Sequence, residues 1–88
     1  MMHPVRILVV DDSMFIQNLL KRIIERAGMH VVAAVSNGQE ALSVLTEHSV
    51  DMILLDMEMP VMNGIEFLKA MKRTPYSPPI IVVSALTQ

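Results

Sequence analysis

Short, almost continuously apolar runs alternate along this chain with stretches of helical periodicity. Residues 5–10, 31–35, 51–56 and 80–84 read as strands, and the continuously apolar stretches at 7–10 and 52–55 as strands buried on both faces, the habit of a parallel sheet covered by helices. Pro79 or Ile80 opens the last of them. Between the first two runs, Ser13 can cap a helix with apolar residues at Phe15, Ile16, Leu19, Leu20, Ile23, Ile24 and Ala27. That spacing predicts one wide apolar stripe, with Gln17, Asn18, Lys21, Arg22, Glu25 and Arg26 opposite it. Gly28 stands where a glycine commonly ends a helix. Ser36-Asn37-Gly38 is a turn, and a second helix over 39–48 turns Ala41, Leu42, Val44 and Leu45 inward. Residues 57–63 form a loop broken by Pro60 and closed by Gly64. A third helix over 65–73 buries Ile65, Leu68 and Met71, and residues 74–79, with Pro75, Pro78 and Pro79, are a connection. Repeated βα units with short links predict right-handed crossovers and an α/β fold with a parallel sheet.

Three carboxylates fall where these strands end. Asp11 and Asp12 close the first apolar run and Asp56 closes the third. If those strands lie side by side and parallel, all three acids meet at the carboxyl edge of the sheet, where open α/β sheets bind ligands. Clustered carboxylates repel one another and resist burial, so a cation is needed to hold them together. Oxygen-only ligands favour a hard ion such as Mg²⁺. Asp11 and Asp12 could hold the ion directly or through water, while Asp56 shares it and keeps an oxygen free as a nucleophile toward a phosphoryl group. Ser84 ends the fourth strand at the same edge. Its hydroxyl and the backbone N–H groups of the loop after Asp56 could donate to phosphoryl oxygens.

Plainer readings exist for each residue. Either Asp11 or Asp12 could cap the first helix, but a cap needs one acid and a second beside it is costly without a counter-ion. Met57, Met59 and Met62 suggest a soft-metal site only until one sees that no cysteine or histidine joins them; adaptable packing is their ordinary role. His3, His30 and His48 are scattered and read as surface residues, and Lys69, Lys72 and Arg73 as a solvated face.

Composition narrows the picture. With 88 residues, the chain makes one small domain, and 52% hydrophobic residues make it globular. A formal net charge of −2 offers no attraction for nucleic acid or an anionic membrane. There is no cysteine, hence neither disulfide nor thiolate metal site. No segment is long and apolar enough to span a bilayer, and the first residues lack the apolar core of a signal peptide. The expectation is a soluble, cytoplasmic protein.

Three segments together resemble the receiver domain of two-component response regulators: Val9-Val10-Asp11-Asp12-Ser13, Leu54-Leu55-Asp56-Met57-Glu58-Met59-Pro60-Val61-Met62-Asn63-Gly64, and Ile81-Val82-Val83-Ser84-Ala85. They stand in the right order and spacing over the whole chain. The resemblance implies a three-layer, doubly wound, flavodoxin-like sheet of strand order 2-1-3-4. It implies that Asp56 is the phosphoacceptor for a histidine kinase, and that Asp11, Asp12 and Asp56 bind Mg²⁺ with the main-chain carbonyl of Glu58. By the same likeness Ser84 is the switch hydroxyl and Ala85 the small residue beside it. Met57 adjoins the phosphoryl group, and Pro60 and Gly64 shape the loop. The ending Ser84-Ala85-Leu86-Thr87 is faintly similar to the regulatory domain of chemotaxis methylesterases.

Receiver domains ordinarily continue with a further helix, strand and helix, and that strand ends in a lysine that contacts the phosphoryl group. No lysine here lies in an equivalent place, so residues 1–88 read as an incomplete receiver domain whose phosphorylation is impaired. The fourth strand then forms an uncharged sheet edge and the sheet face beside it is bared, which predicts self-association. Two other functions compete with signalling. One is a structural, oligomerising module that keeps a Mg²⁺ site. The other is a Mg²⁺-dependent phosphatase with an aspartyl intermediate, for which Glu58 would be the acid; it has no cap to enclose a substrate.

Overall fold

A computed structural model describes residues 3–83 of the chain. Its strands are β1 (Arg6–Val10), β2 (His30–Val35), β3 (Met52–Leu55) and β4 (Ile80–Val82), and its helices are α1 (Met14–Arg26), α2 (Gly38–Glu47) and α3 (Gly64–Met71). All neighbouring strands pair parallel, and the sheet order is β2-β1-β3-β4. This is the parallel α/β sheet expected from the alternating runs, in the doubly wound order that the resemblance implies. β1 lies inside the sheet and is covered on both sides, whereas β3 is fully buried on the side of α2 and α3 and half-buried at Met52 and Leu54 on the other.

Successive residues of a strand point to opposite faces, so β1 feeds two cores. Leu8 and Val10, with Ile53 and Leu55 of β3, pack on Ala41 and Leu45 of α2 and on Phe67 and Met71 of α3. Ile7 and Val9 pack with Val31 of β2 and Ile24 of α1 on the other face. Two helices on one side and one on the other make three layers.

Each helix begins on a side-chain oxygen. Ser13, Asn37 and Asn63 accept the amides of Ile16, Glu40 and Glu66, which satisfies donors that helix starts leave free. Glu66 returns the bond to the Asn63 amide and completes a capping box. Gly28 ends α1 at φ +84°, a left-handed conformation that glycine tolerates.

Two expectations about packing are corrected. In α1, the buried column is Gln17 and Ile24, with Ile16 and Leu20 half-buried beside them. Phe15 is 73% exposed, and Leu19 and Ile23 are exposed as well. The apolar arc of α1 is wider than the strip of sheet beneath it, and Phe15, Leu19 and Ile23 form the column left outside. In α3, Ile65 is 56% exposed while Phe67 is fully buried. The helix starts one residue earlier than expected, at Gly64, and the face carrying Gly64, Phe67 and Met71 is the one that meets the sheet.

Boundaries shift for local reasons. Val5 lies outside β1, although its carbonyl still accepts the His30 amide at 2.8 Å, and α2 likewise starts on Gly38. Pairing of β1 with β2 slips between Ile7 and Leu8, a bulge that leaves Val32 without a partner.

Candidate functional site

The register of the central strands places the acids. Val10 pairs with Leu55, so the next residues, Asp11 and Asp56, leave the sheet side by side. Two backbone bonds continue the ladder past the strand ends: the Asp56 amide donates to the Val10 carbonyl at 2.8 Å, and the Asp11 amide to the Val35 carbonyl at 3.0 Å. Asp12 follows at the surface. One carboxylate oxygen from each of Asp11, Asp12 and Asp56 can be chosen so that all lie within 4.8 Å of one another. The sheet edge therefore assembles the three acids picked out in the sequence.

Their surroundings differ. Asp11 is buried, Asp56 half-buried and Asp12 exposed. Burial is the main cause that raises the Asp11 pKa above its ordinary value. The Ser13 amide, donating to Asp11 Oδ1 at 2.9 Å, opposes that rise, while the negative charges of Asp56 and Asp12 add to it. Asp56 Oδ1 accepts the Glu58 amide at 3.1 Å, which leaves its other oxygen the freer of the two.

The donor set fits a hard divalent cation. Ligands at the ~2.1 Å typical of octahedral Mg²⁺ stand about 3.0 Å apart when adjacent and about 4.2 Å apart when opposite. Oxygens within 4.8 Å reach that geometry with a small contraction or with water in one place. Mg²⁺ keeps several waters in most protein sites, so three acids on an open edge suit it.

The loop beyond Asp56 is tied at both ends. The Gly64 amide donates to the Met57 carbonyl at 3.1 Å, the Met62 amide to Pro60 at 2.7 Å, and the Gly38 amide to Met62 at 3.0 Å. Gly64 is required by space: a Cβ there would stand 2.6 Å from Met57 Cα and 3.1 Å from the Asp56 carbonyl. Pro60 lies within this loop and Gly64 at its end. Met57 is half-buried against Gly64, Met59 is buried and Glu58 is exposed, and Met59 and Met62 belong to a packed core rather than a soft-metal site. Val61 adopts φ +67°, unfavourable for a β-branched residue. His3, His30 and His48 are exposed, and none of them joins the acid cluster. Ser84 and Ala85 lie outside the described residues.

The model of the response regulator receiver domain family matches residues 7–88. This chain belongs to that family. It is 41% identical over 83 residues to the chemotaxis protein CheY of Bacillus subtilis, covering 94% of this chain and 69% of CheY. It is 38% identical over 88 residues to a protein-glutamate methylesterase/protein-glutamine glutaminase of Treponema denticola, covering 99% of this chain. The chain spans 24% of that methylesterase's length. Among solved structures, a chain of the CheX-CheY-BeF3-Mg²⁺ complex from Borrelia burgdorferi superposes with a TM-score of 0.88 at 32% identity, covering 94% of this chain and 63% of that one. The domain is thus a response regulator receiver domain, a two-component signalling module similar to CheY and to a quarter of the methylesterase chain. Among the described residues no helix is long and apolar enough to cross a membrane.

Gln17 escaped the reading of the sequence, which set it on the polar side of α1. It is 6% exposed, and its Nε2 donates to the carbonyls of Asp11 at 2.7 Å and Val35 at 3.1 Å. The signal lay in its spacing: Gln17 precedes Leu20 by three residues and Ile24 by seven, which puts it on their face.

Proposed function

We propose that this domain accepts a phosphoryl group on Asp56 from a phosphohistidine of a histidine kinase, in the presence of Mg²⁺ bound by Asp11, Asp12, Asp56 and the Glu58 carbonyl. The observation that carries this reading is the convergence of three carboxylates from β1 and β3 at one sheet edge. Family membership and the BeF3 and Mg²⁺ in the B. burgdorferi CheY complex support it. When bound, Mg²⁺ offsets repulsion between the carboxylates and an incoming phosphoryl group. The chain's own residues do the rest. Glu58 N–H fixes one oxygen of Asp56, and the other attacks phosphorus as the P–N bond to the donor imidazole breaks and that nitrogen takes up a proton. Asp11 and Asp12 flank the nucleophile and position the cation. Ser84 and Ala85, outside the described residues, are proposed as the switch hydroxyl and the small residue beside it on the family resemblance alone.

Intact-protein mass spectrometry after incubation with acetyl phosphate tests it. A single phosphoryl adduct is expected, absent without Mg²⁺ and absent in Asp56→Asn. An adduct that persists in Asp56→Asn would place the chemistry elsewhere.

A second reading adds self-association. The outer strand β4 presents Ile81 and Val82 about half exposed, with no charge to discourage strand pairing. Phe15, Leu19 and Ile23 expose a second apolar column on α1. The partner proposed for these surfaces is another copy of the chain. Light scattering of the wild type against Ile81→Lys decides: a concentration-dependent mass that falls in the variant is expected, and a monomer at every concentration rejects it.

A further inference from the structure

Metal ligands are only as well placed as the backbone that carries them. The peptide joining Asp11 to Asp12 sits just beyond β1, where the sheet ladder has ended. Its orientation sets where the Asp12 carboxylate stands relative to Asp11 and Asp56. The N–H side of Asp11 is held by Val35, at 3.0 Å. Its carbonyl side is held by Gln17 Nε2 at 2.7 Å, and the same nitrogen reaches the Val35 carbonyl at 3.1 Å. Both partners are carbonyl oxygens, which only accept, so the group facing them has to be the amide nitrogen with its two hydrogens. One buried side chain on α1 thereby locks the last carbonyl of β2 and the first peptide past β1 together.

We propose that Gln17 is a positioning residue for the divalent-cation site, acting through the Asp11 carbonyl to hold the Asp11–Asp12 peptide in its metal-ready orientation. The inference rests on the reading of the acids as a Mg²⁺ site and extends it. Removing the donor leaves a buried carbonyl without its partner, which is costly. The peptide relieves that cost by turning its oxygen toward water, and the Asp12 carboxylate swings away from the other two. Hydrogen-bond partners outside the ligand set commonly alter metal affinity about tenfold or more. Gln17→Met keeps the length and most of the volume but has no donor. Gln17→Glu keeps the shape and sets oxygen against two carbonyls.

The test is titration of ¹⁵N-labelled protein with MgCl₂, following backbone amide shifts, for wild type, Gln17→Met, Gln17→Glu and Leu45→Ala. Leu45 is buried on α2 in the core on the other face of the sheet, so its truncation lowers stability without touching the Asp11 peptide. The expected result is Mg²⁺ affinity weakened roughly tenfold in Gln17→Met, at least as much in Gln17→Glu, and unchanged in folded Leu45→Ala. Metal-free spectra of Gln17→Met should also show displaced Asp12 and Ser13 amides. Equal affinity in wild type and Gln17→Met overturns the positioning role while leaving the metal site intact. Equal weakening in Leu45→Ala overturns it too, by reducing the effect to general loss of stability. If the wild type itself shows no Mg²⁺-dependent shifts, the metal reading fails first and the inference with it.

Discussion

The backbone amide of Asp56 donates to the carbonyl of Val10 at 2.8 Å, so the acid that follows β3 is fastened to the strand that carries the acidic pair. Distance between the two halves of the site is therefore set by strand pairing, the stiffest relationship in the fold. The pairing fixes the spacing of the two backbones, and the loop after Asp56 and the peptide after Asp11 set how the carboxylates are turned. The cost is electrostatic, because the same register forces like charges together.

That cost can be measured. Replacing Asp56 by Asn removes one of the charges facing Asp11 and keeps the shape. In EDTA, Asp56→Asn should unfold at higher denaturant than wild type, by about 1 kcal/mol or less given the half-exposed setting. Saturating Mg²⁺ should reverse the order, since wild type gains more from the ion. Urea denaturation with and without Mg²⁺ checks both. A variant less stable than wild type in EDTA would mean that repulsion at this edge is negligible.

Asp11 adds a pH dependence. Its pKa in the fold is raised by burial and by the neighbouring acids, above the value it takes in the unfolded chain. The folded state therefore holds the proton more tightly. Its contribution to stability is full below the unfolded pKa and is lost as pH rises through the folded one. Other carboxylates titrate nearby, so the difference between wild type and Asp11→Asn is the useful quantity. In EDTA, wild type should lose stability relative to Asp11→Asn as pH rises from the ordinary aspartate range toward neutrality. Thermal unfolding over that range tests it; a flat difference would show that Asp11 ionises freely in the fold. With Mg²⁺ present the trend should weaken or invert, because the ion favours the charged form.

Helix α3 supplies a contrast between neighbours. Phe67 is fully buried, whereas Ile65 is 56% exposed. Phe67→Ala should cost about 3–5 kcal/mol, enough to leave so small a domain largely unfolded. Ile65→Ala should stay within about 0.5 kcal/mol. Circular dichroism melts distinguish them, and a large loss at Ile65 would mean that its exposed side chain is covered in solution.

That contrast shows what periodicity conveys. The inner strands β1 and β3 were legible because a position inside the sheet leaves a continuous apolar run, and Asp11, Asp12 and Asp56 were legible because they close such runs. Helix faces were less so. A spacing of three or four residues fits both Ile65-Leu68-Met71 and Gly64-Phe67-Met71, and glycine adds nothing to a hydrophobic count. Which column wins is decided by the close approach of Gly64 to Met57, a tertiary fact. Gln17 was hidden for the opposite reason: a polar residue among apolar ones reads as surface until its two carbonyl partners are known.

Two glycines separate the ways a substitution can act. At Gly28 nothing lies within 4 Å of an added Cβ, but φ is +84°. Gly28→Ala should therefore cost about 1 kcal/mol through backbone strain alone. At Gly64 the added carbon would stand 2.6 Å from Met57 Cα and 3.1 Å from the Asp56 carbonyl. Neither is the end of a flexible side chain, so the loop itself must move, at about 1–3 kcal/mol. Asp56 moves with it. Gly64→Ala should lose both stability and Mg²⁺ affinity, whereas Gly28→Ala, at the far end of α1 from Ser13, should lose stability only. Urea denaturation paired with Mg²⁺ titration of the two variants reads out the difference. Unchanged Mg²⁺ affinity in a destabilised Gly64→Ala would show that the loop can yield without carrying Asp56 along.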